Sequence, residues 1–419
     1  MIMNRKRKIL VPIFNRAHYG RLRSVLNAIK NHPRLELQII VAVPAAYGGF
    51  FNNLAHSRPR SWHLALPWYI LARTRSFLGQ EAVLRNDFLA RSLKEAGFRI
   101  NDCIPLFFDG GNSVTMAKSV GQGIIKLVGV MKKLKPDVVF VNADRFEMMA
   151  VAIAASYLNI PVAHNEGGDV SGTLDENVRH AITKLAHIHF TSTSTSRRRV
   201  IQMGENPDKV FAVGSPAIDA VSSADLDSLK ESMADFSLDR TFLLVLLHPV
   251  ATLSGKKNME MTQNVILALK ELKLPVIFLG SNIDAGSNVI GYVLREWLEK
   301  DRPRDVYFVK HLPPDDFYKV LTKTACAIGN SSSFIREGAY LGTPVVLVGS
   351  RQNNRERTDN VIEIDYSWEE IVEAVNNQLK RGKYSSSSIF GDGTAGKKIA
   401  DILAGIELNV QKSFNDLQT

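Results

Sequence analysis

The chain has 419 residues, 45% of them hydrophobic and 22% charged, which is ordinary for a globular protein and long enough to divide into two cores. Lys and Arg number 52 against 42 Asp and Glu, a net charge of +10; this suits an anionic small molecule, and no Lys/Arg block is long enough to point to nucleic acid as a partner. Two distant cysteines, Cys103 and Cys326, exclude a disulfide framework and a zinc cluster and indicate a reducing, cytoplasmic setting.

The basic start Asn4-Arg5-Lys6-Arg7-Lys8 leads into a short apolar run, which reads as a first strand, Lys8–Phe14, rather than a signal peptide. No uninterrupted apolar run reaches the length of a membrane span. A turn at Asn15–Gly20, a helix over Tyr19–Lys30 and a strand over Leu35–Val43 follow. Arg16 in that turn sits beside a helix N-terminus, where a phosphate or a plain surface arginine are both consistent readings.

From Phe51 to Asn86 the alternation lapses. Arg58, Arg60, Arg73, Arg75 and Arg85 mingle with Trp62, Trp68 and Tyr69, a pattern that fits a lid, a subunit contact in a homodimer or homotetramer, or peripheral membrane contact. A helix over Asp87–Gly97, a strand over Phe98–Ile104 and a long amphipathic helix over Val114–Leu134 come next.

The stretch Pro136–His180 is the centre of the reading. Asp137–Val141 and Ile160–Ala163 are short strands flanking an Ala-rich helix, Phe146–Leu158, so they form a parallel βαβ unit with ligands expected at the strands' carboxyl ends. Asp144 follows the first strand and Glu166 the second. A helix near Asn177–Ala186 returns Asp175, Glu176, Arg179 and His180 toward them. Several acids and bases at one sheet edge suit proton transfer, whereas one carboxylate alone would more simply be a helix cap.

Strands at Ile188–Thr191 and Lys209–Val213, with a helix over Ser194–Met203, complete the first half, and the polar segment Ser222–Asp239 reads as a linker. The second half repeats the alternation, from the strand Phe242–Leu247 to the strand Pro344–Val348. Two such regions predict two doubly wound α/β domains with a ligand cleft between them. His248 stands at the end of the first strand of this half. Asn330-Ser331-Ser332-Ser333 opens a helix carrying Glu337, a place for a phosphate and a ribose or for an ordinary cap and a solvent-exposed glutamate. Arg351, Arg355 and Arg357 lie in the polar loop that follows.

Taken in order, Ala143-Asp144-Arg145-Phe146-Glu147, His164-Asn165-Glu166-Gly167-Gly168, Gly172–Leu185, Val213-Gly214-Ser215-Pro216, His248-Pro249, Gly329–Ser333 and Phe390-Gly391-Asp392-Gly393 resemble the UDP-N-acetylglucosamine 2-epimerase family, most closely its hydrolysing branch. The resemblance spans roughly residues 87–405 and implies the GT-B fold: Rossmann-like domains over 1–221 and 222–395, with a final helix in 396–419 crossing back. It implies that Asp144, Glu166 and Asp175 are catalytic carboxylates and His248 a cleft histidine. Arg16, Arg179, Asn330, Ser331, Ser332, Ser333 and Glu337 would then contact the nucleotide sugar. The implied reaction is elimination of UDP and hydration of the glycal with inversion at C2, with neither metal nor nicotinamide cofactor implied. A non-hydrolysing epimerase and a GT-B glycosyltransferase or nucleotide-sugar binder are the alternatives. The chain departs from the family pattern at His18, where an acid is usual, at Asn142-Ala143 in place of a Gly, and at Asn165 in place of an aliphatic residue. These departures bear on which sugar is bound, a 4-acetamido-6-deoxy sugar nucleotide included.

Overall fold

The computed structural model describes residues 5–44, 88–107, 113–172, 174–224, 236–250, 253–280, 287–310 and 312–416. The basic and aromatic segment Phe51–Asn86 and most of the polar segment Ser222–Asp239 lie outside them.

The first half runs β1 (Arg7–Ile13), α1 (Arg16–Asn31), β2 (Leu35–Pro44), α2 (Phe88–Glu95), β3 (Ile100–Phe107), α3 (Ser113–Leu134), β4 (Val138–Asn142), α4 (Phe146–Tyr157), β5 (Val162–Asn165), α5 (Asp175–Leu185), β6 (Ile188–Thr191), α6 (Ser194–Gln202), β7 (Val210–Ala212) and α7 (Pro216–Ser222). The second half runs β8 (Leu243–Leu246), α8 (Gly255–Leu272), β9 (Val276–Leu279), α9 (Ser287–Asp301), β10 (Val306–Val309), α10 (Pro314–Lys323), β11 (Cys326–Gly329), α11 (Ser332–Leu341), β12 (Val345–Val348), β13 (Val361–Ile364), α12 (Trp368–Arg381) and α13 (Ala395–Gly405).

The strands pair in parallel in two sheets, ordered β3-β2-β1-β4-β5-β6-β7 and β10-β9-β8-β11-β12-β13. Their continuous β-branched runs follow from helices covering both faces. In β1, Ile9, Val11 and Ile13 join one core while Leu10 joins the other. In β8, Leu243 and Val245 face one core and Leu244 and Leu246 the opposite one. Cys103 belongs to the first domain's core and Cys326 to the second's. This is the doubly wound α/β architecture in duplicate.

The elements that escaped the sequence reading carry ordinary signals. Ser367 caps α12 by accepting from the Glu370 N–H at 3.3 Å, and Ser-Trp-Glu-Glu is the capping-box pattern before an apolar stripe. Ser215 caps α7, with Pro216 at its first position.

The final helix returns to the first domain. Ile399, Ala400 and Leu403 of α13 enter the core beneath α1 with Leu22, Val25 and Leu26. Gly396 permits the close crossing, since a Cβ there would lie 2.7 Å from the Ser24 carbonyl carbon. Asp219 of α7 anchors the start of α13, accepting the Ala395 N–H at 2.9 Å and the Gly396 N–H at 2.7 Å. None of the described helices is long and apolar enough to cross a membrane.

Candidate active site

Each sheet reverses its strand order at one point, between β1 and β4 and between β8 and β11. The carboxyl ends of those strands are where a doubly wound fold binds ligands. Asp144 follows β4, and Glu166 begins the turn out of β5. Both are preceded or formed by left-handed backbone without glycine: Ala143 has φ +58° and Glu166 φ +63°. Such conformations cost roughly 1–2 kcal/mol each and persist where surrounding bonds hold them. The Ala143 N–H donates to the Asn165 carbonyl at 2.9 Å and the Glu166 N–H to the Phe190 carbonyl at 2.8 Å.

Buried His164 braces the same turn, its Nε2 lying 2.9 Å from the Ala143 carbonyl and its Nδ1 3.2 Å from Thr183 Oγ1 on α5. A carbonyl only accepts, so Nε2 carries the proton. Burial pushes the ring's pKa down to about 3, keeping it neutral. Gly168, at φ +77°, completes the turn; a Cβ would fall 2.1 Å from the Ser196 carbonyl oxygen.

The carboxylates have distinct partners. Asp144, one-fifth exposed, forms an ion pair with buried Arg179 on α5. Arg179 also donates from Nη1 to the Asp169 carbonyl at 2.8 Å. Glu166 is buried, accepts from Ser215 Oγ at 2.9 Å, and pairs with Arg336 Nη1 of the second domain at 2.7 Å. Burial alone would raise its pKa, but the charges of Arg336 and Arg21 and these bonds hold it at about 2. Asp175 is the first residue of α5 and partly exposed; His180, one turn on, lies 3.7 Å from Glu176.

In the second domain His248 is buried just after β8, and Asn330 follows β11. The Asn330 side chain accepts the His248 N–H at 2.7 Å and donates to its carbonyl at 2.9 Å. Both polar ends of Asn330 are thereby engaged in clamping the two strand ends. Ser331 caps α11. Ser332 Oγ accepts from Arg21 of the first domain at 3.3 Å, a second link across the cleft. Glu337 is buried rather than solvent-exposed; burial pushes its carboxyl up against the pull of Arg336 and Arg21. Arg16 opens α1, and its side chain lies outside the described residues.

Four residues of this neighbourhood escaped or were only glimpsed in the sequence reading. Arg21 lies five positions past Arg16 on α1, and Arg336 directly precedes Glu337. Asp169 follows the glycine pair; burial raises its pKa, and Ser196 Oγ donates to it at 2.7 Å. Arg355, in the loop after β12, is buried with Nη1 3.9 Å from Asp169; burial lowers its pKa to about 10. For Arg21 and Arg336 a place on a helix near a predicted residue was the available signal; Asp169 and Arg355 lie in loops, and their burial comes from the fold around them.

Comparison with known proteins follows the same line. A family model described as UDP-N-acetylglucosamine 2-epimerase matches residues 84–404. A Legionella pneumophila protein named UDP-N,N'-diacetylbacillosamine 2-epimerase (hydrolyzing) is 34% identical over 97% of each chain. A Campylobacter jejuni protein named GDP/UDP-N,N'-diacetylbacillosamine 2-epimerase (hydrolyzing) is 28% identical over 87% of this chain and 88% of its own. Among solved structures, the Methanocaldococcus jannaschii UDP-GlcNAc 2-epimerase in complex with UDP-GlcNAc and UDP superposes with a TM-score of 0.72 at 19% identity, covering 94% of this chain and 99% of that one. At that identity the likeness concerns the fold.

Proposed function

The chain belongs to the UDP-N-acetylglucosamine 2-epimerase family, and we propose that it is a hydrolysing nucleotide-sugar 2-epimerase acting on a UDP-2-acetamido sugar. The observation that supports this reading is the placement of Asp144 and Glu166 just after adjacent strands of one parallel sheet, with Asp175 opening the next helix and Glu166 kept ionised by an arginine of the facing domain.

In the first step a carboxylate takes the proton from C2, the electrons form the C1=C2 bond, and the C1–O bond breaks with its electron pair leaving on UDP. The departing diphosphate is stabilised by Arg16, Arg21 and the N-terminus of α11 at Ser331, Ser332 and Ser333. Glu337 accepts the ribose hydroxyls. In the second step water adds its oxygen to C1, and a proton reaches C2 from the face opposite the one that lost it. The products are UDP and a free manno-type sugar.

Arg336 links Glu166 to the substrate. While it faces Glu166, the carboxylate is a weak base at about 2. An entering diphosphate competes for Arg336 and Arg21, and Glu166 becomes more basic as that competition proceeds. Asn330 holds His248 at the cleft, and Arg179 orients Asp144.

The test is incubation with a panel of nucleotide sugars in heavy water, followed by NMR. Free UDP with a C2-deuterated manno sugar is expected. An intact deuterated nucleotide sugar would replace this reading by the non-hydrolysing one, and no reaction of any donor would leave a binder or transferase.

A further inference from the structure

At the ends of β4 and β5 and the start of α1, three buried side chains carry polar atoms with no hydrogen-bond partner among the described residues. Asn142 and Asn165 end β4 and β5 opposite one another in the ladder and are 2% and 1% exposed. They share one bond, from Asn165 Nδ2 to Asn142 Oδ1 at 2.7 Å. Asn142 Nδ2 and Asn165 Oδ1 are left over. Turning both amides over would exchange the roles and still leave one N–H donor group and one carbonyl acceptor, so the conclusion does not depend on which way they are set.

His18, in the first turn of α1, is 3% exposed and has neither ring nitrogen partnered. Burial, and after it the charges of Arg145 and Arg21, push its pKa down to about 3, so the ring is neutral and offers one donor and one acceptor. The three groups share a face of the sheet. Val138 and Phe140 of β4 and Ala163 of β5 point into the core beneath α1, and strand alternation puts Asn142 and Asn165 on that side.

Buried polar groups are almost always paired, so these two residues at the ends of adjacent strands and His18 in the first turn of α1 form a set open to a partner that both donates and accepts. The set is matched in donors and acceptors. A phosphate or carboxylate would only accept and an ammonium only donate. A secondary amide presents an N–H and a C=O at separate points, as the asparagine pair does.

We propose that His18, Asn142 and Asn165 form the pocket for an acetamido group that the sugar carries at a carbon other than C2. This rests on the 2-epimerase reading. Asp144 and Glu166, assigned to the chemistry at C2, follow Asn142 and Asn165 by two residues and one, within about 7 Å of chain. The pocket is therefore adjacent to the reacting carbon yet built from different side chains. His18, Asn142 and Asn165 are also positions where the chain departs from the family's motif, whereas a 2-acetamido group is common to the family's named substrate. The Legionella relative is named for a sugar bearing two acetyl groups.

The test is calorimetric titration of the full chain carrying Asp144→Asn with two UDP-2-acetamido-2,4,6-trideoxyhexoses that differ only in whether the 4-nitrogen is acetylated. The acetylated sugar is expected to bind at least tenfold more tightly, and adding His18→Phe or Asn165→Leu should remove most of that difference. Equal affinities in the parent, or variants that weaken both ligands by one factor, would overturn the pocket. The two variants lie on different elements, so one that fails to fold leaves the other to decide. If the unsubstituted protein released UDP from neither sugar while the acetyl preference persisted, the epimerase reading would fall and the amide pocket would stand.

Discussion

Glu166, in the turn leaving β5, and Arg336, on α11 of the other domain, meet at 2.7 Å with 4% and 2% of their side chains exposed. The pair links the two domains at one of the residues assigned to catalysis. Removing one partner of a buried pair strands the other, at a cost of about 3–5 kcal/mol, whereas removing both can be nearly neutral. Arg336→Met is therefore expected to destabilise the protein strongly, and adding Glu166→Gln should recover most of the loss. Denaturant unfolding of the two variants measures this; an additive double variant would show that the two residues do not depend on each other.

Asp144→Asn, Glu166→Gln and Asp175→Asn should each lower UDP release by about 10²–10⁴-fold, the usual contribution of a positioned acid or base. Secondary structure by circular dichroism should be unchanged. Wild-type turnover in all three would end the catalytic assignment.

Stability should fall as the medium is acidified below pH 6.5. Burial holds the folded-state pKa values of His18 and His164 at about 3, so the unfolded chain takes up their protons first. Their contribution is complete above the unfolded value near 6.5 and declines toward 3, at up to about 1.4 kcal/mol per pH unit for each histidine. Glu166 adds a second decline, present above an unfolded value near 4.5 and lost as pH falls toward its folded value of about 2. Melting temperatures between pH 7 and 4.5 should drop, and His18→Phe should flatten that slope.

Asp219→Ala should unseat the last helix. Its two carboxylate oxygens accept the first N–H groups of α13, and loss of such a cap costs about 0.5–2 kcal/mol. Hydrogen exchange at the start of α13 should quicken before that of the second sheet. Uniform acceleration throughout would argue against a local role.

Much of the site was legible because it lies where local pattern speaks. The β-branched runs of β4 and β5, the Ala-rich α4 between them and the acids just after each strand announce a parallel βαβ edge. The Ser331–Ser333 cap was visible for the same reason. Asn330 shows a limit of the same reading: a polar residue at a strand end is compatible with a ligand contact or a backbone clamp, and its bonds to His248 appear only in the folded chain. Glu337 was likewise ambiguous: its burial comes from the packing of α11 and from Arg21 of the other domain, which local sequence does not reveal.

By itself, the sequence determined the alternation of strands and helices, the two sheets and the placement of acids at their carboxyl ends. Those follow from hydrophobic period, caps and β-branched runs, which act over a few residues. Only the tertiary structure decided which charges meet: Glu166 with Arg336, Asp144 with Arg179, Arg21 with Ser332. It also left Asn142, Asn165 and His18 buried together with polar atoms to spare. Such pairings join residues far apart in the chain, and their protonation states are set by burial and opposing charge, which exist only once the domains have folded and closed.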